Sequence, residues 1–414
     1  MNAIVRPVGG CGIGGLSFDT AFARILALTP APLAAERVAL PESPGRVLAA
    51  AVPARLDLPR FDQAAMDGYA VRCADLTPGG LLPITGRTAA GEAPDHLAEG
   101  GAHRILTGAP MPEGADAVIV QEDVLPSQER IRLMAPVLPG SNIRRRGEDM
   151  RAGQILATAG TRLDWRHVAI FAAHGIADLA VRRAPRVAVL SSGRELRGPG
   201  EALQAGQIHD SNGPMLAALL RAWGARIIPT ARVDDTSAAM RAALAAAASS
   251  ADLVLSSAGI SVGDEDHVRD ALHDLGGDLA VLSVAMKPGK PLAAGRLGQA
   301  VFIGLPGNPL AALAGAVAFV RPLLAAMLGC APAAPMPALA GFGLHRKPGR
   351  TEFLPVRLCQ RGARLWADRT GPDGSGRLSP LLTATGLAML GPDIETLEHG
   401  AMLKILPFWP AMPD

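Results

Sequence analysis

Three short loops carry most of the residues with chemistry to offer. Residues 256–266 read SSAGISVGDED, residues 287–291 read KPGKP and residues 304–309 read GLPGNP. The first loop follows an apolar run at 253–255. The third follows another at 300–303 and precedes a long apolar segment. A short buried strand, a glycine turn and a helix together point free backbone N–H groups at an anion. Ser257, Ser261 and Gly263 in the first loop, and Gly307 and Asn308 in the third, are therefore candidate substrate contacts, with Pro306, which has no N–H, shaping the turn beside them. Lys287 and Lys290 sit on a proline-stiffened loop, where each can meet a phosphate or another oxyanion as a point charge.

Four carboxylates join them at the ends of apolar runs: Glu195, Asp234 (with Asp235 beside it), Asp264 and Asp266. Acids that converge on one edge repel one another unless a cation intervenes, and Mg²⁺ favours a carboxylate-plus-phosphate environment. Any one of these acids would serve equally well as a helix cap; the set is what argues for a site. A GxxxxGK[ST] loop is absent, which removes the main support for a GTPase. His209 and His267 stand too far from other ligand types for a zinc site. Chemistry alone thus reaches a magnesium-assisted enzyme acting on a phosphorylated or anionic small molecule.

The elements that must position these residues follow from periodicity. From Arg186 onward short apolar runs alternate with helical patterns over residues 186–328, which predicts a mostly parallel sheet with helices on both faces. Ligands in such sheets bind outside the carboxyl ends of the strands. The loops above, and SSGREL at 191–196, all fall there. Before this region, residues 51–140 alternate short apolar runs with Gly and Pro and predict an all-β module, while Ser17 caps a helix bearing Ala21, Ile25 and Leu26 on one face. NIRRRGEDM at 142–150 reads in isolation as a solvated turn. After a Pro/Ala linker at 331–338, a last piece alternates with period two and predicts a small β-domain.

Bulk properties narrow the class. The chain has 414 residues, of which 49% are hydrophobic, and a net charge of +2, so roughly two to four domains with real cores are expected and a nucleic-acid-binding surface is not. Cys11, Cys73, Cys330 and Cys359 lack the spacing of a zinc site or a disulfide framework. The N-terminus shows no secretion signal. The most apolar stretch, 310–328, is interrupted by Arg321-Pro322 and reads as a buried helix and not a membrane span. A cytoplasmic protein is expected.

With these residues in view, the chain resembles the molybdopterin molybdenumtransferase (MoeA) family, which includes the E domain of gephyrin. The resemblance runs from about Ser17 to the end through FDQAAMDGYAVR, RILTGAPMPEGADAVIVQED, NIRRRGEDM, VAVLSSGREL, QIHDSN, ISVGDEDH, MKPGKP, GLPGNP, KPGRTEF and GSGRL. It implies an elongated multidomain chain of α/β plus β class. Segments 17–50 and 141–183 would form a discontinuous N-terminal domain, with the β-module 51–140 inserted between them. Residues 184–330 would form a three-layer α/β domain similar to molybdopterin adenylyltransferase, and 338–414 a β-barrel.

By the same resemblance the activity is insertion of molybdate into adenylylated molybdopterin with release of AMP, aided by Mg²⁺. Asp67, Thr107, Glu195, Asp234 and Asp266 would be catalytic, with Glu195, Asp234 and Asp266 holding the metal. Asp149, Ser257, Ser261, Gly263, Lys287, Lys290, Pro306, Gly307, Asn308 and Ser375 would contact substrate. A homodimer is implied, in which Asp67 and Thr107 act in the partner's site. Molybdopterin adenylyltransferase and molybdoenzyme apo-proteins are implied partners; nucleic acid and membrane are not. The alternatives are adenylyl transfer to molybdopterin, or a non-catalytic molybdopterin-binding scaffold. Three positions depart from the family pattern: Arg194 replaces an acid, Ala258 replaces the second glycine of an SGG turn, where a positive φ would be strained, and Ser283 replaces a base.

Overall fold

The computed structural model describes residues 15–29, 31–230, 232–259, 267–372 and 374–408. Its centre is a six-stranded sheet in the order Arg226–Ile228, Arg186–Ser191, Leu253–Ser257, Ala300–Leu305, Ala293–Leu297, Asp278–Val281. The first four are mutually parallel, and Ala293–Leu297 runs antiparallel to both its neighbours. The expected mostly parallel sheet is present. Ala293–Leu297 escapes the sequence pattern because AAGRL contains no branched apolar run; it enters the sheet as a hairpin partner.

Strand residues divide between two cores with period two. Val187, Val189, Leu253, Leu255, Val301 and Ile303 face one side; Ala188, Leu190, Val254 and Phe302 face the other. Both faces are buried, which is why these strands read as unbroken apolar runs. Asn212–Ala222 and the long helix Pro309–Leu328 cover the first face; Ser237–Ser250 and His267–Asp274 cover the second. Pro309–Leu328 is long and apolar enough to cross a membrane, but 83% of its apolar window is buried inside the protein. It is a core helix. A π-turn at Ala316–Val320 precedes Arg321–Leu328, whose Pro322 has no N–H for the preceding turn.

Residues 336–407 close into a five-stranded barrel. Thr351–Arg361, Arg364–Arg369, Met336–Ala340, Met402–Pro407 and Gly386–Leu390 pair in sequence, and the last returns to the first. Met286–Lys287, from the α/β region, adds to this barrel as a parallel strand. The KPGKP loop is thereby attached to both units.

Upstream, a second six-stranded sheet lies wholly within residues 68–133. Its flanks are tied by strand pairs: Ala35–Ala39 with Asp178–Arg182, Val52–Pro53 with Ile155–Ala157, and Gln63–Ala64 with Ile143–Arg144. Leu40 and Leu48 share a core with Leu163, Phe171 and Val181, so the two separated segments pack as one unit. Phe18–Leu26 is capped by Ser17 as expected, yet its buried Ala21 and Ile25 join the α/β core and not that unit. NIRRRGEDM is more than a solvated turn. Arg145 and Arg146 pair at 2.6 Å with Asp62 and Asp57, clamping the chain where it enters and leaves the inserted sheet.

Candidate active site

A cleft of about 1180 Å³ opens at the carboxyl ends of the α/β strands, against the barrel. Ser257, Pro306, Gly307, Asn308, Lys287 and Lys290 all line it, as do Glu195 and Ser375. The loop 306–309 is fixed from below. Asn212 donates from Nδ2 to Ser257 Oγ at 2.8 Å and to Gly307 O at 2.6 Å, so the end of one strand holds the end of the next. Asn308 donates to Ser375 Oγ at 3.0 Å, and Leu310 N–H donates to Ser375 O at 3.0 Å. Ser375 comes from the barrel, 67 residues downstream of Asn308.

Gly193 has φ +146°, and a Cβ there would lie 2.5 Å from Glu195 Oε2. That glycine lets the Glu195 carboxylate fold back over its own loop at the cleft rim. Asp234 is exposed, beside the bridge between Ser192 and Val233 that joins its segment to the Glu195 loop. Asp235 takes up Arg194 at 3.9 Å. Ser261, Gly263, Asp264 and Asp266 lie outside the described residues. No group of three His, Cys, Asp or Glu side chains with metal-binding geometry occurs among the described residues.

The barrel contributes cations that motif reading did not single out. Arg350 and Arg369 line the cleft, and buried Glu352 stands 2.7 Å from Lys287 Nζ. Asp210, from the QIHDSN motif, lines it as well and accepts from Gly213 N–H at 3.0 Å. Asp210, Arg350 and Glu352 lie within QIHDSN and KPGRTEF, two of the strings that carry the resemblance, whereas Arg369 lies in neither. Acids therefore come from the loops at 195–210 and, as the paired Glu352, from the barrel; cations come from the KPGKP loop and the barrel. Such an arrangement suits a ligand that is anionic and carries a metal-bound phosphate.

Asp67 and Thr107 meet one another but do not line this cleft. Thr107 donates both its hydroxyl, at 2.6 Å, and its backbone N–H, at 2.7 Å, to Asp67 Oδ1. These two bonds hold the Asp67 carboxyl below the usual carboxylate value. Gly68 is obligatory next to it, since a Cβ there would run into Ile119 O. Asp149 is exposed, its backbone N–H donating to Leu58 O at 3.0 Å.

Comparison with known proteins bears on this arrangement. Residues 16–175 match the MoeA N-terminal region (domain I and II), 188–326 a probable molybdopterin binding domain, and 337–408 the MoeA C-terminal region (domain IV). A molybdopterin molybdenumtransferase of Haemophilus influenzae is 35% identical over 95% of this chain and 98% of its own. The chain belongs to the molybdopterin molybdenumtransferase (MoeA) family.

Molybdopterin molybdenumtransferase 2 of Mycobacterium tuberculosis is 37% identical over 89% of this chain and 94% of its own. The crystal structure of a molybdopterin biosynthesis MoeA protein from Pyrococcus horikoshii superposes with TM-score 0.82 at 30% identity, over 95% of this chain and 99% of that one.

Against the MoeA pattern, Ala258 adopts φ +77°, the left-handed conformation its missing glycine predicts. Ser283 lies apart from the cleft lining: its carbonyl accepts from Leu16 N–H at 2.9 Å, and its hydroxyl donates to Lys290 O at 3.4 Å.

Proposed function

We propose that this protein inserts molybdenum into molybdopterin, in molybdenum cofactor biosynthesis, within the cleft between the α/β sheet and the barrel. One observation carries the reading: the KPGKP loop, the 306–309 loop and Ser375, from two different units, converge on one cavity large enough for an adenylylated pterin. Lys287 and Lys290 neutralise a molybdate dianion as it meets the pterin, and Ser375 Oγ and loop N–H groups fix its orientation. The 306–309 turn offers its donors without bulk, so the acceptor can approach closely.

Adenylylated molybdopterin is the substrate we assign, with AMP as the released product. Glu195 and Asp234 rise from adjacent loops, and this all-oxygen donor set fits Mg²⁺, which commonly takes one or two carboxylates and leaves room for phosphate oxygens. With Asp266 they would hold that ion, which offsets phosphate charge when bound. Asp67 and Thr107, apart from the cleft of their own chain, complete the site of a second copy in a homodimer, and Asp149 is assigned a substrate contact. We place the reaction in the cytoplasm.

The reading is tested by following AMP release from adenylylated molybdopterin with Mg²⁺, with and without molybdate. Molybdate-dependent release supports it. Nucleotide that binds and stays intact under both conditions would favour a scaffold instead.

A further inference from the structure

Beside the oxyanion site stands a carboxylate to which the mechanism above gives no task. Glu352, second residue of the strand Thr351–Arg361, has 5% side-chain exposure. Burying a carboxylate is costly unless its oxygens are paired, and here each has a cation. Oε1 lies 2.7 Å from Lys287 Nζ, and Oε2 lies 2.7 Å from Arg346 Nε. Arg346 is 4% exposed and donates from Nη1 to the carbonyls of Gly391 and Ile394 and from Nη2 to that of Arg350. One end of this triad is thus locked into the barrel.

The other end faces substrate. Lys287 is 55% exposed and lines the cleft. Register fixes the meeting: Lys287 lies opposite Glu352 in the parallel pair, and Thr351 N–H donates to Ala285 O at 3.0 Å. An ammonium has three donors. One goes to Glu352, which leaves two for an oxyanion. A lysine side chain is otherwise rich in rotamers, and ordering it in advance removes that cost from binding.

We infer that Glu352 is a positioning residue of the oxyanion site: it sets the Lys287 ammonium at the cleft wall, and Arg346 holds Glu352 in turn. The inference rests on the reading of Lys287 as an oxyanion contact. Its effect has a diagnostic sign. Glu352→Gln removes one negative charge next to the site, and by charge alone would tighten anion binding. Loss of the anchor weakens it.

The test is calorimetric titration of the full-length protein with molybdate, beside KM and kcat for molybdate. Lys287→Ala and Glu352→Gln each weaken binding about tenfold, and the double variant binds no worse than Lys287→Ala, because both act through one ammonium. KM for molybdate rises while kcat is retained. Equal or tighter binding in Glu352→Gln, next to weakened binding in Lys287→Ala, overturns the proposal alone. So does a double variant that loses about a hundredfold, the product of two independent effects. Unchanged binding in Lys287→Ala removes the oxyanion reading of that lysine and the proposal with it. If Glu352→Gln cannot fold with Arg346 left buried and unpaired, Glu352→Asp serves. It keeps the charge and withdraws it from Lys287, so weakened binding supports the proposal and unchanged binding overturns it.

Discussion

At the residue scale, the chain departs from the easiest solution at Ala258. A non-glycine residue at φ +77° costs about 1–2 kcal/mol, while a glycine there would add about 0.4–1 kcal/mol of unfolded-state entropy to be lost on folding. The net favours glycine. Ala258→Gly should raise stability by about 0.5–1 kcal/mol, read as a higher urea midpoint with unchanged slope. Asp67 offers a second test at this scale. Its carboxyl is held below the usual value first by the Thr107 hydroxyl and then by the Thr107 backbone. Thr107→Val removes the first cause and keeps the shape, so the Asp67 pKa should move up toward the ordinary carboxylate value in an NMR titration. A group with a depressed folded pKa stabilises the fold above its unfolded value and loses that contribution as pH falls. The variant should therefore lose less stability on acidification than the parent.

Elements are held at their ends by similarly local chemistry. Asp252 precedes the strand Leu253–Ser257 and receives both Arg183, at 2.6 Å, and the backbone N–H of Arg186, at 2.8 Å, so the joint into the α/β sheet closes on one carboxylate. Burial pushes that carboxyl up, but Arg183 and Arg186 together outweigh it and bring it down to about 2. The stabilisation is present above about pH 4 and should fade between about pH 4 and pH 2. Asp252→Asn should cost about 2–3 kcal/mol at neutral pH, less than a fully buried pair because the arginines keep partial solvent. It should also flatten the acid limb of a stability-versus-pH curve.

The elements also show where sequence sufficed. Unbroken runs such as LVL and VFI announce strands buried on both faces, and Ser17 announces a helix start. AAGRL was illegible because its place depends on a hairpin partner. The pairing of Lys287 with Glu352, 65 positions apart by their numbers, is non-local and leaves no periodic trace.

Over the whole molecule, the site is assembled from units far apart in sequence. The strand ends supply Glu195 and Ser257, the KPGKP loop supplies lysines, and the barrel supplies Ser375, Arg350 and Glu352. Asp67 and Thr107 stand just beyond strand ends of the inserted sheet, outside this cleft. The proline-stiffened loop marked the two lysines, and the family resemblance named Ser375. It passed over Arg350, Glu352 and Asp210, whose meaning depends on which strand they face. If Asp67 and Thr107 serve the partner's cleft, then chains carrying Asp67→Ala and chains carrying Asp266→Asn, each inactive alone, should recover part of the activity when mixed. Proven heterodimers without recovery would show that each site is built from one chain.

The central claim is that this cleft puts molybdenum into molybdopterin. The measurement that tests it most directly supplies adenylylated molybdopterin and a low concentration of molybdate, and asks whether the product switches on a molybdenum-free apo-enzyme. Wild type and Lys287→Ala should be compared side by side. The account predicts activation by the wild-type product, and at least a roughly tenfold smaller yield with Lys287→Ala that excess molybdate restores. Equal yields from the two proteins, or no activation by either, would contradict it.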